Sequence, residues 1–130
     1  MGQASGLTGT ARYHTVLTSG RHTLVADEPL SKGGQDEGPS PGDLICAGLA
    51  SCTAITLRMY TERKGWDMPQ IRVEVQLLKE NDNSVFVRHI DFGAAALTTE
   101  QMDRLTHVAN NCPVHKLLSR QNEVQTFLKP

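Results

Sequence analysis

No run of basic residues occurs in this 130-residue chain, whose thirteen lysines and arginines are balanced by fourteen aspartates and glutamates. Nucleic acid and anionic membrane therefore find no electrostatic footprint, and neither is expected as a partner. Apolar sequence is limited too: Leu44 to Leu57 holds fourteen uncharged residues, short of the roughly 20 needed to span a bilayer. A basic stretch followed by an apolar one is missing at the start, so no signal peptide is expected. Three cysteines are too few, and odd in number, for a disulfide scaffold; the expectation is a cytoplasmic protein with free thiols. The glycine-rich stretch 31–42 lacks a Gly-Lys-Ser/Thr ending, so it is expected to be a connection that shapes the wall of a site and not a phosphate-cradling P-loop. Among His14, His22, His89, His107 and His115 there is no His-x-x-x-His pair, and no Cys-x-x-Cys occurs. His115, three residues after Cys112, is a solitary match to ligand spacing, so no metal is expected.

What the chain does have is one long helical stretch, Ser40 to Trp66. Ser40 followed three residues later by Asp43, with Pro41 at the first helical position, is a helix-start signature, and Gly65 supplies the stop. Apolar and small residues occupy nearly every angular position from Leu44 to Leu57, the pattern of a helix buried on all sides. Ala47, Ala50, Ser51 and Ala54 recur at three- and four-residue spacing, so a second backbone could approach that side, including the same helix from a second subunit.

The remaining periodicities predict α+β, with antiparallel sheets around this helix and one domain over residues 1–130. Residues 1–9 read as a frayed end. Ala11 to Leu17 and His22 to Ala26 read as strands joined at Ser19-Gly20; Ile71 to Leu77 and Ser84 to Phe92 read as a hairpin around Asn81-Asp82-Asn83. Thr98 or Thr99 caps a second helix ending near Cys112, because Pro113 biases its predecessor away from helical geometry. Val114 to Leu118 reads as a turn, and Val124, Thr126 and Leu128 as a final strand. Trp66, Tyr60 and Phe86 are expected in the core or at a pocket rim.

The thiols carry whatever chemistry there is. A free cysteine near its ordinary pKa of about 8.5 offers only a few per cent of the reactive thiolate. Cys52 stands deep in the long helix, beyond the first turn where the macrodipole acts and in apolar surroundings, so a nucleophilic role requires a nearby cation. Arg21, beside a turn, is the favoured candidate; Arg58, about 9 Å further along the helix and about 120° around it, points elsewhere. Cys112 at a helix C-terminus is better placed to resolve an oxidised partner than to attack first. Cys46 faces another direction and reads as a packed small hydrophobe. Asp43 lies about 13.5 Å along the helix from Cys52. It is either a cap alone or a group brought to the Cys52 of a second subunit.

Taken together, the runs Ser19-Gly20-Arg21-His22, Gly33-Gly34 through Gly38-Pro39-Ser40-Pro41, Asp43-Leu44-Ile45 through Ala50-Ser51-Cys52-Thr53, Tyr60 through Lys64-Gly65-Trp66, and Cys112-Pro113-Val114-His115 resemble the OsmC/Ohr family. The names stand for osmotically induced protein C and organic hydroperoxide resistance protein. The likeness spans about residues 11 to 128 and is nearer the short OsmC-like branch. It implies an intertwined α+β homodimer with two thiol sites near the subunit interface. It also implies a peroxidase that reduces organic hydroperoxides without haem, metal or flavin and is regenerated by a dithiol. By the resemblance, Cys52 is the peroxidatic cysteine, Cys112 the resolving cysteine that forms a disulfide with it, and Arg21 the activating arginine. Asp43 stands where the family usually has glutamate, one methylene longer.

Three readings follow: a two-cysteine peroxidase, a thiol-disulfide oxidoreductase acting on other sulfur substrates, and a binding module that takes a small apolar ligand at the interface.

Overall fold

The computed structural model describes all 130 residues, which divide into two compact units, Met1–Ala47 and Gly48–Pro130. In the first, β1 (Ser5–Thr8), β2 (Thr15–Ser19) and β3 (His22–Ala26) form an antiparallel sheet in the order β1-β2-β3. The β2–β3 hairpin turns at Gly20, whose φ of 59° is open to glycine at no steric cost. Strand β1 corrects the expectation of a frayed N-terminus: Ser5 to Thr8 pair in register with Thr18 to Thr15. Of its four residues Thr8 alone has a strong strand preference, and the pairing to β2 overrides that weak overall propensity.

After β3 the chain wraps back on itself. Gly34 and Gly38 lie so close to the Glu28 and Val25 backbones that a Cβ would sit 2.0 and 2.2 Å from their carbonyl oxygens. Asp27, buried at the end of β3, accepts the amide hydrogens of Glu28 (2.7 Å) and Glu37 (3.2 Å) and pins the loop that feeds the long helix.

That helix, α1 (Pro41–Lys64), begins as the sequence predicts. The Asp43 N–H donates to Ser40 Oγ at 3.2 Å and the Ser40 N–H donates to Asp43 Oδ2 at 3.1 Å, a reciprocal cap. Gly65, at φ 69°, ends it.

In the second unit α1 is followed by β4 (Arg72–Glu80) and β5 (Asn83–Asp91), an antiparallel hairpin turned at Asn81, then α2 (Thr99–Ala109) and α3 (Pro113–Leu118). Thr98 caps α2 in a box with Gln101. Leu57, Tyr60, Met68, Leu105 and Ala109 form the buried core, flanked by Trp66, Ile71, Ile90 and Phe92. Tyr60 and Trp66 meet edge to face at 5.6 Å, as expected for core aromatics.

Three further expectations are corrected. The helix read as buried on all sides buries one stripe in the single chain: Leu49, Thr53, Leu57, Tyr60 and Thr61, spaced as one face. Ile45, Ile55 and Met59 on its other sides are 45, 54 and 61% exposed. By length and hydropathy α1 also meets the requirement for a membrane span, but its polar buried positions Thr53 and Thr61 belong to a protein core. The segment from Val114 is the helix α3, since Pro113 sits at its first position. Val124 to Leu128 forms no strand and stays exposed, because alternation without a neighbouring edge leaves its backbone unpaired.

The core stripe sets which way α1 presents its side chains. Leu57→Ala, at a site with no exposure, is expected to lower unfolding free energy by about 2–5 kcal/mol. In urea denaturation the midpoint should fall accordingly; an unchanged midpoint would mean this stripe does not hold the second unit together.

Candidate functional site

One turn before Leu57 on the same stripe, Thr53 reaches the other thiol. Its Oγ1 lies 3.7 Å from Cys112 Sγ, and both side chains are fully buried. Cys112 is not at the end of α2, as the sequence predicts; α2 stops at Ala109 and Cys112 is the N-cap of α3. Its sulfur accepts the His115 amide hydrogen at 3.4 Å. Pro113 causes both features: it keeps Cys112 extended (φ −68°, ψ 146°) and starts the next helix in the same step. The argument from an unfavourable helix C-terminus therefore does not apply to Cys112.

Around the pair stands a group the sequence analysis passed over. Arg88 on β5 donates from Nη1 to Thr53 Oγ1 at 3.0 Å and from Nη2 to Asn110 Oδ1 at 3.0 Å. Nη2 also lies 3.1 Å from His115 Nδ1. A signal for Arg88 was present: in the hairpin it faces Val75, and it alternates with Phe86 and Ile90 on the apolar side of the strand. An arginine at an inward position is an exception that calls for partners.

Leu49, Ser84, Val85, Phe86, Arg88, His115, Leu118 and Ser119 line a cavity of about 280 Å³. Four of these residues are apolar and four, Arg88, His115 and the two serines, are polar, a make-up suited to a small amphipathic molecule.

The remaining candidates are distributed as follows. Cys52 is half-buried in α1, one residue before Thr53, and all three cysteines are free thiols. Cys46 is half-buried near the start of α1. Arg21 is exposed just past the β2–β3 turn and belongs to the first unit, as does Asp43, whose carboxylate is occupied by the helix cap. Arg58 does point elsewhere, donating to the Met68 carbonyl at 2.6 Å. In the first unit His14, Asp27 and Glu37 place ligand-type atoms within 4.8 Å of one another, a gathering that no sequence spacing announced. These atoms already serve each other: His14 pairs with Glu37 at 3.2 Å, and the Asp27 oxygens take backbone amides. Burial opposes ionisation of Asp27. The amides of Glu28, Glu37 and Gln35, with the charge of His14, outweigh it and hold the carboxyl below its ordinary 3.8.

His115 is pushed below its ordinary 6.5, first by burial and then by the charge of Arg88. A histidine held neutral in the fold gives stability that is present above pH 6.5 and is lost as pH falls from there through the lowered value, because the unfolded chain takes up the proton first. The His115 imidazole followed by NMR should titrate below 6.5, and His115→Asn should flatten the fall in stability across that window. A titration at or above 6.5 would contradict the arrangement.

Comparison with known proteins fits this geometry. A family model described as OsmC-like protein matches residues 34–127. No curated protein sequence matches. Among solved structures, a Psychrobacter arcticus protein named for osmotic stress induction and detoxification response superposes with a TM-score of 0.76 at 22% identity, over 90% of this chain and 88% of that one. An organic hydroperoxide resistance protein, OsmC, of Legionella pneumophila gives 0.62 at 20% identity over 91% and 88%. The organic hydroperoxide resistance protein OhrB of Bacillus subtilis gives 0.55 at 22% identity over 90% and 89%. At such identities the likeness establishes the fold, which is that of the OsmC and Ohr proteins. With nearly three quarters of its length matched by the family model, from the loop ahead of α1 through both helices that flank Cys112, the chain belongs to the OsmC-like family.

Proposed function

We propose that the chain is a thiol-dependent peroxidase for organic hydroperoxides. The observation that carries this reading is the buried Cys112 thiol held beside the residue that follows Cys52. Family membership and the neighbours named for organic hydroperoxide resistance support it. Cys52 as thiolate attacks the terminal peroxide oxygen, the O–O bond breaks, and the alkoxide leaves and is protonated to an alcohol. Cys52 is left as sulfenic acid. The Cys112 sulfur then attacks the Cys52 sulfur, a disulfide forms and water departs. An external dithiol reduces the bridge and is itself oxidised to a disulfide.

In this proposal Arg21 supplies the guanidinium that stabilises the thiolate and the developing alkoxide, and Asp43 remains a helix cap. The working unit is a homodimer in which a second copy covers the face of α1 bearing Ile45, Ile55 and Met59, an apolar exposure on a helix of the family's core. The chemistry belongs in a reducing compartment such as the cytoplasm, where free thiols persist. A thiol-disulfide oxidoreductase would use the same two sulfurs without consuming peroxide. The cavity beside Arg88 favours, as a second reading, capture of a small amphipathic ligand. Ligand affinity retained when Cys52 and Cys112 are both serine would support it.

The peroxidase reading predicts cumene hydroperoxide turnover with a dithiol reductant, reduced in Cys52→Ser to the uncatalysed rate. Turnover that persists in that variant excludes the mechanism. Sedimentation of the reduced protein should give twice 14.2 kDa; a monomer under the same conditions would remove the second copy from the proposal.

A further inference from the structure

The Arg88 guanidinium is half-buried, yet no carboxylate pairs with it; the ion pairs of the chain are His14–Glu37 and Arg72–Glu74. Holding an unpaired cation away from water is costly unless its hydrogens are used. Here they are used on three partners at once: Thr53 on α1, Asn110 just past α2 and His115 on α3.

Counting protons fixes the direction of each bond. A guanidinium only donates, so His115 Nδ1 accepts, and the imidazole is the neutral tautomer with its proton on Nε2. The single Thr53 hydroxyl hydrogen goes to the Leu49 carbonyl at 2.7 Å. Thr53 Oγ1 therefore accepts from Arg88, and its remaining lone pair faces Cys112. Since Thr53 has no second hydrogen to give, Cys112 is the donor in that 3.7 Å contact. On its other side the Cys112 sulfur accepts the His115 amide hydrogen. The sulfur is thus fixed from two directions, and Arg88 touches both residues that fix it, at Thr53 Oγ1 and at the His115 ring.

We propose that Arg88 is a positioning residue for the second half of the thiol cycle: through Thr53 and His115 it holds the Cys112 thiol in reserve beside the residue that follows Cys52. This rests on the peroxidase reading only for the oxidant. In the cycle, the Cys112 S–H and the Cys52 sulfenic S–OH combine to an S–S bond, and the thiol proton leaves with the sulfenic oxygen as water. Arg88 supplies placement and takes no part in the bond changes.

The test separates placement from peroxide chemistry. In a Cys46→Ser background, Cys52 is capped with thionitrobenzoate, and attack by Cys112 is read as release of the coloured thiolate, with no peroxide present. Arg88→Met and Thr53→Val are each expected to slow release about 10- to 100-fold, as small misplacements of reacting groups do. Arg88→Lys, a single point of charge without the fork, should restore only part of the rate. In the same proteins, ¹⁵N NMR should find the Nε2–H tautomer of His115 in the parent and a loss of that preference in Arg88→Met, a change that general loosening of the fold would not produce selectively. If Arg88→Met does not fold, Thr53→Val and Arg88→Lys decide by the same release rate. Parent-like release in Thr53→Val, or in both arginine variants, overturns the inference. Absence of release in the parent overturns it together with the peroxidase reading. Parent release slowed in the variants, in a protein that leaves cumene hydroperoxide untouched, sustains the inference and removes the peroxidase reading alone.

Discussion

A single hydroxyl oxygen ties the second unit of this protein together. Thr53 Oγ1 binds back to α1 through Leu49, receives Arg88 from the hairpin, and meets the Cys112 sulfur at the start of α3. All of this happens at zero exposure for Thr53 and Cys112, where an unmade hydrogen bond is costly. The arrangement is fully satisfied; no buried side-chain polar atom in the chain is left without a partner. A network of that kind specifies one geometry in a way that an apolar core of similar volume would not.

Two features of α1 follow from where this network sits. The stripe of Leu49, Thr53, Leu57, Tyr60 and Thr61 is committed to the unit's own core, which leaves Cys52 about 100° around the helix from Thr53 and only half-buried. In the single chain the Cys52 thiol, on the shoulder of the buried stripe, is half-buried, whereas Cys112 has no exposure. In the proposed cycle this difference in burial is what would divide the work between the two sulfurs. The apolar residues on the remaining sides of α1 account for the all-round hydrophobic pattern in the sequence. They are the part of that pattern which one chain by itself leaves uncovered.

Much of the fold was legible from residue patterns. The Ser40–Asp43 cap, the Gly65 stop, the Gly20 and Asn81 turns and the alternation in β4 and β5 each have a local physical cause, and local causes can be read from a sequence. What escaped depended on distant pairing. Strand β1 exists because β2 offers it an edge, whereas Val124 to Leu128 alternate as a strand should and find no partner. From sequence Cys112 falls at the end of α2, because a proline reads as a helix stop, whereas in the fold Pro113 begins α3. With that shift the argument from a helix C-terminus no longer bears on the thiol. Arg88 does not stand out in the sequence, because arginine in a strand is ordinary on a solvated face and only the hairpin register puts it inside with Phe86 and Ile90. The motifs containing Cys52 and Cys112 are visible in the sequence, but the contacts that Cys112 makes with Thr53 and His115 are not.

The central claim is that sulfurs 52 and 112 act as a pair. Intact mass spectrometry of the reduced protein after one equivalent of cumene hydroperoxide, followed by non-reducing peptide mapping, tests it directly. The account predicts loss of two hydrogens per chain and a bridge joining the peptides of Cys52 and Cys112. An unchanged mass, oxygen retained on Cys52 with Cys112 still free, or a bridge that involves Cys46 instead, would contradict it.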